Sequence, residues 1–367
     1  MSKAKGSAEL PLIVDCHSDV MIDVYPRRVA GERAVIDRLH RHRFEAGGVG
    51  GVAVTVGGDV ETLSPLGLER ATDGVAVMVE ALRQDVAESE GRVVVASSAD
   101  GMEAAVAGGA ALALLPSLEG GIAFGTDPGT VSSFYDLGVR MGGIAWNVKS
   151  ALATGTGAGE GGLTPIGAEV IREMNRLGMM VDVSHLSDQS FWGVVEVSTA
   201  PIMASHSNAR TLTAHERNLS DAQLDEIDRM DGLVAIVLFP AFVGPHPTTL
   251  DHVLDHVAYI AGRIGVERVA IGSDFIDFAR DAMEDEMRAH PDLYKEEDFV
   301  FPQGVENTTT LSRILSGLVE RGFTHDDVRA VAHENFLRHF RAVERASAIT
   351  PREDGVEANA PDASGSW

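Results

Sequence analysis

A single cysteine, Cys16, stands among 367 residues. One thiol makes no intramolecular disulfide, so nothing in the chain asks for an oxidising compartment. Cys16 lies in an apolar run and reads as a small core residue. Basic residues are also scarce: 30 Lys and Arg stand against 55 Asp and Glu, a formal net charge of −25. Nucleic acid and anionic membrane surfaces are gripped by basic patches, and no run of Lys or Arg offers one, so neither is expected as a partner. The acidity itself reads as a solubility feature. No apolar run approaches the roughly 20 residues of a membrane span. The opening MSKAKGSAELP lacks the apolar stretch of a signal peptide, and a cytoplasmic protein is expected. No Gly-x-Gly-x-x-Gly opens a helix after the first strand, which argues against a dinucleotide fold. The glycine-rich stretch GTGAGEGG at 155–162 reads as a flexible loop. No Gly-Lys-Ser/Thr follows it, so a phosphate loop is not expected.

Apolar residues make up 44% of the chain and glycines number 39, which suits a sizeable core and many tight turns. The length fits one α/β barrel of about 250 residues plus insertions, although two ordinary domains would also fit. Short apolar runs recur at 11–16, 51–56, 111–118, 139–145, 179–184, 201–205, 233–239 and 268–272, with a further run at 92–96 as an extra edge strand. Amphipathic stretches lie between them. The one at 164–177 begins Thr-Pro and ends at Gly178, signals of a helix start and stop. Ser220 and Gln223 open the stretch 220–230 in the manner of a capping box, and 251–264 and 309–321 fit the same pattern. Strand–helix alternation predicts a parallel sheet covered by helices. Eight strong strands favour a closed (β/α)8 TIM-like barrel over an open doubly wound sheet. The expected layout is an extension at 1–10, one barrel domain at 11–345 and a disordered tail at 346–367, with an insertion over one barrel face at 279–303.

The residues at the ends of the strands carry the chemistry. The first strand runs into His17-Ser18-Asp19, and residues two apart on a strand share a face, so His17 and Asp19 can address one ion. Other strands run into Glu119, His185, His206 and Asp274. In a barrel these ends converge on the C-terminal face, where active sites are built. One histidine there is ordinarily a polar cap, and one acid ordinarily caps the next helix. Five such residues, gathered from the ends of four strands, point to a metal. Three imidazoles and two carboxylates suit zinc or another borderline divalent ion. Five ligands exceed one open tetrahedral site and suit two ions sharing a carboxylate about 3.5–4 Å apart. Glu119 is the natural bridge, with His17 and Asp19 on one ion and His185 and His206 on the other. Asp274 could move a proton, cap a helix or serve as a sixth ligand.

The sequence resembles the membrane dipeptidases, also called renal dipeptidases. The stretches that carry the likeness are VDCHSD at 14–19, FEAGGVGG at 44–51, LEGG at 118–121 and GVR at 138–140. They continue with GLTPIGAEVIREMNRLGMMVDVSHLSD at 162–188, APIMASHSNAR at 200–210, RNL at 217–219, IGSDF at 271–275 and ENFLRHF at 334–340. The likeness runs in family order over about residues 11–341. It implies a (β/α)8 barrel, two zinc ions bridged by Glu119, and hydrolysis of dipeptides, with D-residues tolerated at the C-terminal position. By position it makes His17, Asp19, Glu119, His185 and His206 the ligands and Asp274 the acid/base. Arg217 becomes the partner of the substrate carboxylate, a role suited to guanidinium; without the likeness it would read as a surface or ion-paired arginine. The family is commonly dimeric, so a homodimer is implied.

The sequence also departs from that pattern. Renal-type members carry a substrate-contacting His after GVR; the counted position here is Trp146, followed by Asn147, and both are candidate substrate-binding residues. Trp146 offers only one N–H. The family's DFDG reads Asp274-Phe275-Ile276-Asp277, and Val237-Leu238 stands where Asn is frequent. These changes keep alive another binuclear amide hydrolase on the same barrel, such as a lactamase, deacylase or tailoring peptidase. A zinc-binding protein without turnover is the non-enzymatic alternative.

Overall fold

The computed structural model describes residues 10–279 and 299–348. The expected N-terminal extension (to residue 9), the tail from 349 and most of the 279–303 insertion lie outside the described residues. All the expected strands form: β1 (Ile13–Ser18), β2 (Val49–Gly58), β3 (Val93–Val95), β4 (Leu112–Glu119), β5 (Met141–Gly143), β6 (Met180–Asp182), β7 (Ile202–Ala204), β8 (Leu233–Ile236) and β9 (Val269–Ile271). Every pairing is parallel. The ring runs β1–β2–β4–β5–β6–β7–β8–β9 and returns to β1, an eight-stranded closed barrel. β3 pairs only with the first half of β4, as the extra strand expected at 92–96.

Side-chain alternation sorts the strands into two apolar layers. Val14, Cys16, Leu115, Met141, Met180 and Met203 face inward and pack on Phe336 and Phe340 of the helix Asn335–Ala346, which plugs the barrel floor. Val52, Val54, Val181 and Ile236 face outward into the larger core shared with the surrounding helices. Continuous burial of the strands results from helices covering the outside of a filled barrel.

The helix signals take physical form. Thr164 accepts from the Gly167 amide at the start of Pro165–Leu177, and Gly178 ends that helix at φ +80°. Ser220 and Gln223 form a reciprocal capping box before Asp221–Arg229. One stretch departs from expectation: 309–321 divides into a 3-10 turn at Thr308–Thr310 and a helix at Arg313–Glu320. The Thr309 hydroxyl donates to the Asn307 side chain and the Thr310 hydroxyl to the Asn307 carbonyl. Such local bonds compete with helix propagation.

The 155–162 loop, expected to be flexible, is tied at both ends. Gly155 bridges to Leu186, Thr156 N–H donates to the His185 carbonyl at 2.7 Å, and Ser187 Oγ donates to the Gly161 carbonyl. A side chain at Gly155 would put Cβ 1.4 Å from the Trp146 carbonyl oxygen. Glycine serves close approach of two backbones there.

Candidate metal centre

At the C-terminal mouth of the barrel the strand ends bring six side chains together. His17 belongs to β1, whose neighbours Val14 and Cys16 face inward. Strict alternation would send His17 outward, but the β1–β2 register shifts between Asp15 and Ser18. Such irregularities re-aim side chains near active sites. His17 Nε2 then lies 3.5 Å from Asp19 Oδ1, 3.6 Å from Glu119 Oε1 and 3.7 Å from Asp274 Oδ1. On the other side, His185 Nε2 and His206 Nε2 lie 3.0 and 3.5 Å from the same Glu119 oxygen. His185 and Asp274 both occupy left-handed backbone, at φ +68° and +55°. Non-glycine residues are held there only by surrounding structure, a frequent mark of functional sites.

The donor set fits divalent ions. Nitrogen and oxygen ligands at about 2.0–2.1 Å from zinc stand about 3.3 Å apart on a tetrahedron, near the separations around Glu119 Oε1. His17, Glu119 and His206 form one metal-competent group and His17, Asp19 and Asp274 another. His17 Nε2 and Asp19 Oδ1 are buried without a hydrogen-bond partner among the described residues, which is unfavourable unless something polar or charged completes them.

Electrostatics lead to the same reading. Burial drives the Glu119 carboxyl well above its ordinary range, with Asp19 adding to the push. Burial also lifts Asp274 to about 7, against the pull of His17 and Arg217. At His17 burial opposes the charge, but Asp19, Glu119 and Asp274 together hold the imidazolium well above the usual histidine range. Burial, then nearby cations, holds His185 and His206 well below it, as neutral imidazoles suited to ligation. Acids crowded in this way take up protons or cations.

The expected substrate-side residues sit around this cluster. Arg217 is buried, its Nη2 donating to the His206 carbonyl at 3.3 Å while its Nε has no partner among the described residues. Burial lowers its pKa to about 10, with Asp274 and Glu119 opposing. The Trp146 ring lies 5.8 Å from the His185 ring, centroid to centroid. Asn147 Oδ1 is 2.8 Å from His185 Nδ1, so its side chain leans on a candidate ligand. Ile276 is buried, and Asp277 is held by Arg43 and by the Thr308 hydroxyl, which anchors the loop after β9 despite its missing glycine.

Three buried acids escaped the sequence reading. Asp15 accepts from the Ser273 amide at 2.7 Å and joins β1 to the end of β9. Asp59 accepts from the Gly121, Ile122 and Trp146 amides and joins the ends of β2, β4 and β5. Asp182 accepts from the Ser184 and Ser205 amides and joins β6 to β7. For Asp15 and Asp182 the signal was an acid inside an otherwise apolar strand, an arrangement that burial permits only with partners; Asp59 stands just past the end of β2.

The model of the membrane dipeptidase family, peptidase family M19, matches residues 4–296. The chain belongs to this family. A dipeptidase of Schizosaccharomyces pombe described as uncharacterized is 33% identical over 223 residues, 59% of this chain and 50% of that protein. The dipeptidase tcpJ of Claviceps purpurea is 31% identical over 242 residues, 64% of this chain and 52% of that protein. The matched stretch thus spans about half the length of these curated relatives. Among solved structures, the dipeptidase AC, a metallo peptidase of family M19, superposes with a TM-score of 0.77 at 26% identity, covering 93% of this chain and 100% of that one. Within the family's barrel, the six clustered side chains occupy the mouth. Among the described residues, no helix is long and apolar enough to cross a membrane.

Proposed function

We propose that this protein is a zinc-dependent dipeptidase that binds two ions, shares Glu119 between them and cleaves the peptide bond of L-L and L-D dipeptides. The observation that carries the reading is the convergence of His17, Asp19, Glu119, His185 and His206 on one mouth with Asp274 beside them. Two zinc ions held there would bring the pKa of a water towards neutrality and make hydroxide available as nucleophile at ordinary pH. The chain's own residues supply the rest. Arg217 takes the substrate's C-terminal carboxylate through its fork of donors. Asp274, its Oδ1 3.7 Å from His17 Nε2, is placed to accept a proton during attack and return it to the leaving amine. Trp146, its ring beside that of His185, is placed to meet the substrate. A cytoplasmic setting accords with Cys16, a buried thiol that has no second cysteine to pair with. A homodimer accords with the family resemblance.

The test is turnover of a dipeptide panel, L-L and L-D, by zinc-loaded protein, set against acyl amides and lactams. Asp274→Asn is expected to lower kcat by about 10²–10⁴-fold. A loss below about tenfold would remove Asp274 from the proton path. Turnover of lactams or acyl amides in place of dipeptides would move the substrate class while leaving the metal centre standing.

A further inference from the structure

Behind His206 lies a chain of bonds that the hydrolytic reading does not use. Asp182 sits at the end of β6, buried, with Oδ1 accepting from the Ser184 amide at 3.0 Å and the Ser205 amide at 2.9 Å. Its Oδ2 is 2.5 Å from Ser205 Oγ, and Ser205 Oγ is 2.7 Å from His206 Nδ1. The Ser184 hydroxyl oxygen in turn accepts from the His206 amide at 3.1 Å. Asp182, Ser205 and His206 are all fully buried or nearly so.

A serine hydroxyl has one proton. A carboxylate only accepts, so Ser205 gives that proton to Asp182. Ser205 Oγ then has only acceptor capacity left for His206, and the proton between them must belong to Nδ1. That bond places a proton on His206 Nδ1 and fixes the ring with Nε2 facing the mouth, 3.5 Å from Glu119 Oε1. His185 is set the same way by Asn147, whose side-chain oxygen meets Nδ1. The two Nε2 atoms are then directed at each other across 2.8 Å. At that distance the two nitrogens are joined either by a proton on one of them or by a cation that both address.

We propose that Asp182 and Ser205 are positioning residues for the metal centre: the Asp182–Ser205 pair anchors His206 through Nδ1 and keeps Nε2 turned to the mouth before any ion arrives. This rests on the metal-centre reading under Proposed function. Carboxylate-supported imidazoles are stronger, better oriented ligands, and loss of such support typically weakens metal binding about 10–100-fold. A related construction recurs across the barrel, where Asp15 accepts from the amide and hydroxyl of Ser273, the residue before Asp274.

The experiment is a zinc competition titration on full-length protein, comparing the parent with Ser205→Ala, Ser205→Thr and Asp182→Asn. Ser205→Ala and Asp182→Asn are expected to weaken zinc binding about 10–100-fold. Ser205→Thr keeps the hydroxyl and is expected to restore it to within about threefold of the parent. Nitrogen-15 correlation spectra of the ion-free parent should show His206 protonated at Nδ1, with that proton's resonance moved in Ser205→Ala. Melting of the ion-free proteins separates misfolding from weakened ligation; if Ser205→Ala does not fold, Asp182→Asn and the His206 spectrum decide. Unchanged affinity in Ser205→Ala and Asp182→Asn, or a His206 protonated at Nε2 alone, overturns the proposal. A parent that takes up no zinc would instead overturn the metal-centre reading on which it depends.

Discussion

Single residues in this chain differ in what burial asks of them. His17, Glu119 and Asp274 are buried ionisable groups that answer one another across the mouth of the barrel. His339 is buried without that kind of answer: neither ring nitrogen has a hydrogen-bond partner among the described residues, and burial holds its pKa down to about 3. An unfolded histidine titrates near 6.5. Between about 6.5 and 3 the unfolded chain therefore binds a proton that the folded chain refuses, and stability falls as pH falls through that window. His339→Leu removes this contribution. In urea unfolding, the variant should gain about 2 kcal/mol on the parent between pH 7.5 and pH 5. A constant gap at both pH values would show that His339 takes up its proton as readily folded as unfolded. The ligand candidates were legible because each stands at or just past a strand end, and strand ends meet at one face. The acids Asp15, Asp59 and Asp182 were not, because their roles depend on amides of neighbouring strands that only folding brings near.

Secondary-structure elements were legible where their signals are local. Thr164, Gly178 and Ser220 act through bonds within a few residues, and each does what its position suggests. The register shift in β1 and the docking of the 155–162 loop depend on contacts far along the chain. In both, burial against a neighbour overrides the local pattern. The split of 309–321 arises from hydroxyl groups competing with the backbone, a choice that apolar periodicity does not register. Gly155 tests the loop's attachment. Gly155→Ala would drive Cβ into the Trp146 carbonyl, displacing the strap that bonds to the His185 carbonyl. Overpacking of this kind typically costs about 1–3 kcal/mol, and a matching loss in thermal unfolding should be accompanied by weaker zinc binding. Wild-type stability and affinity in Gly155→Ala would mean that the strap is free to shift.

At the scale of the whole molecule, the closed barrel stems from strand–helix alternation, and the sequence carries that alternation in full. The interior is stacked: a floor plugged by Phe336 and Phe340, then a thioether-rich layer, then the polar strand ends. Met141, Met180 and Met203 in that layer are at most 1% exposed, whereas Met230 is only partly buried against the outer core. Thioethers turn to sulfoxides where peroxide can reach them. In the folded protein, dilute peroxide should oxidise Met230 ahead of these three interior residues, as read by peptide mass spectrometry. Their oxidation in step with that of Met230 would mean that the barrel opens readily. The three methionines thus form an internal clock: their sulfoxides record, in a sample's own history, how often the barrel has come apart.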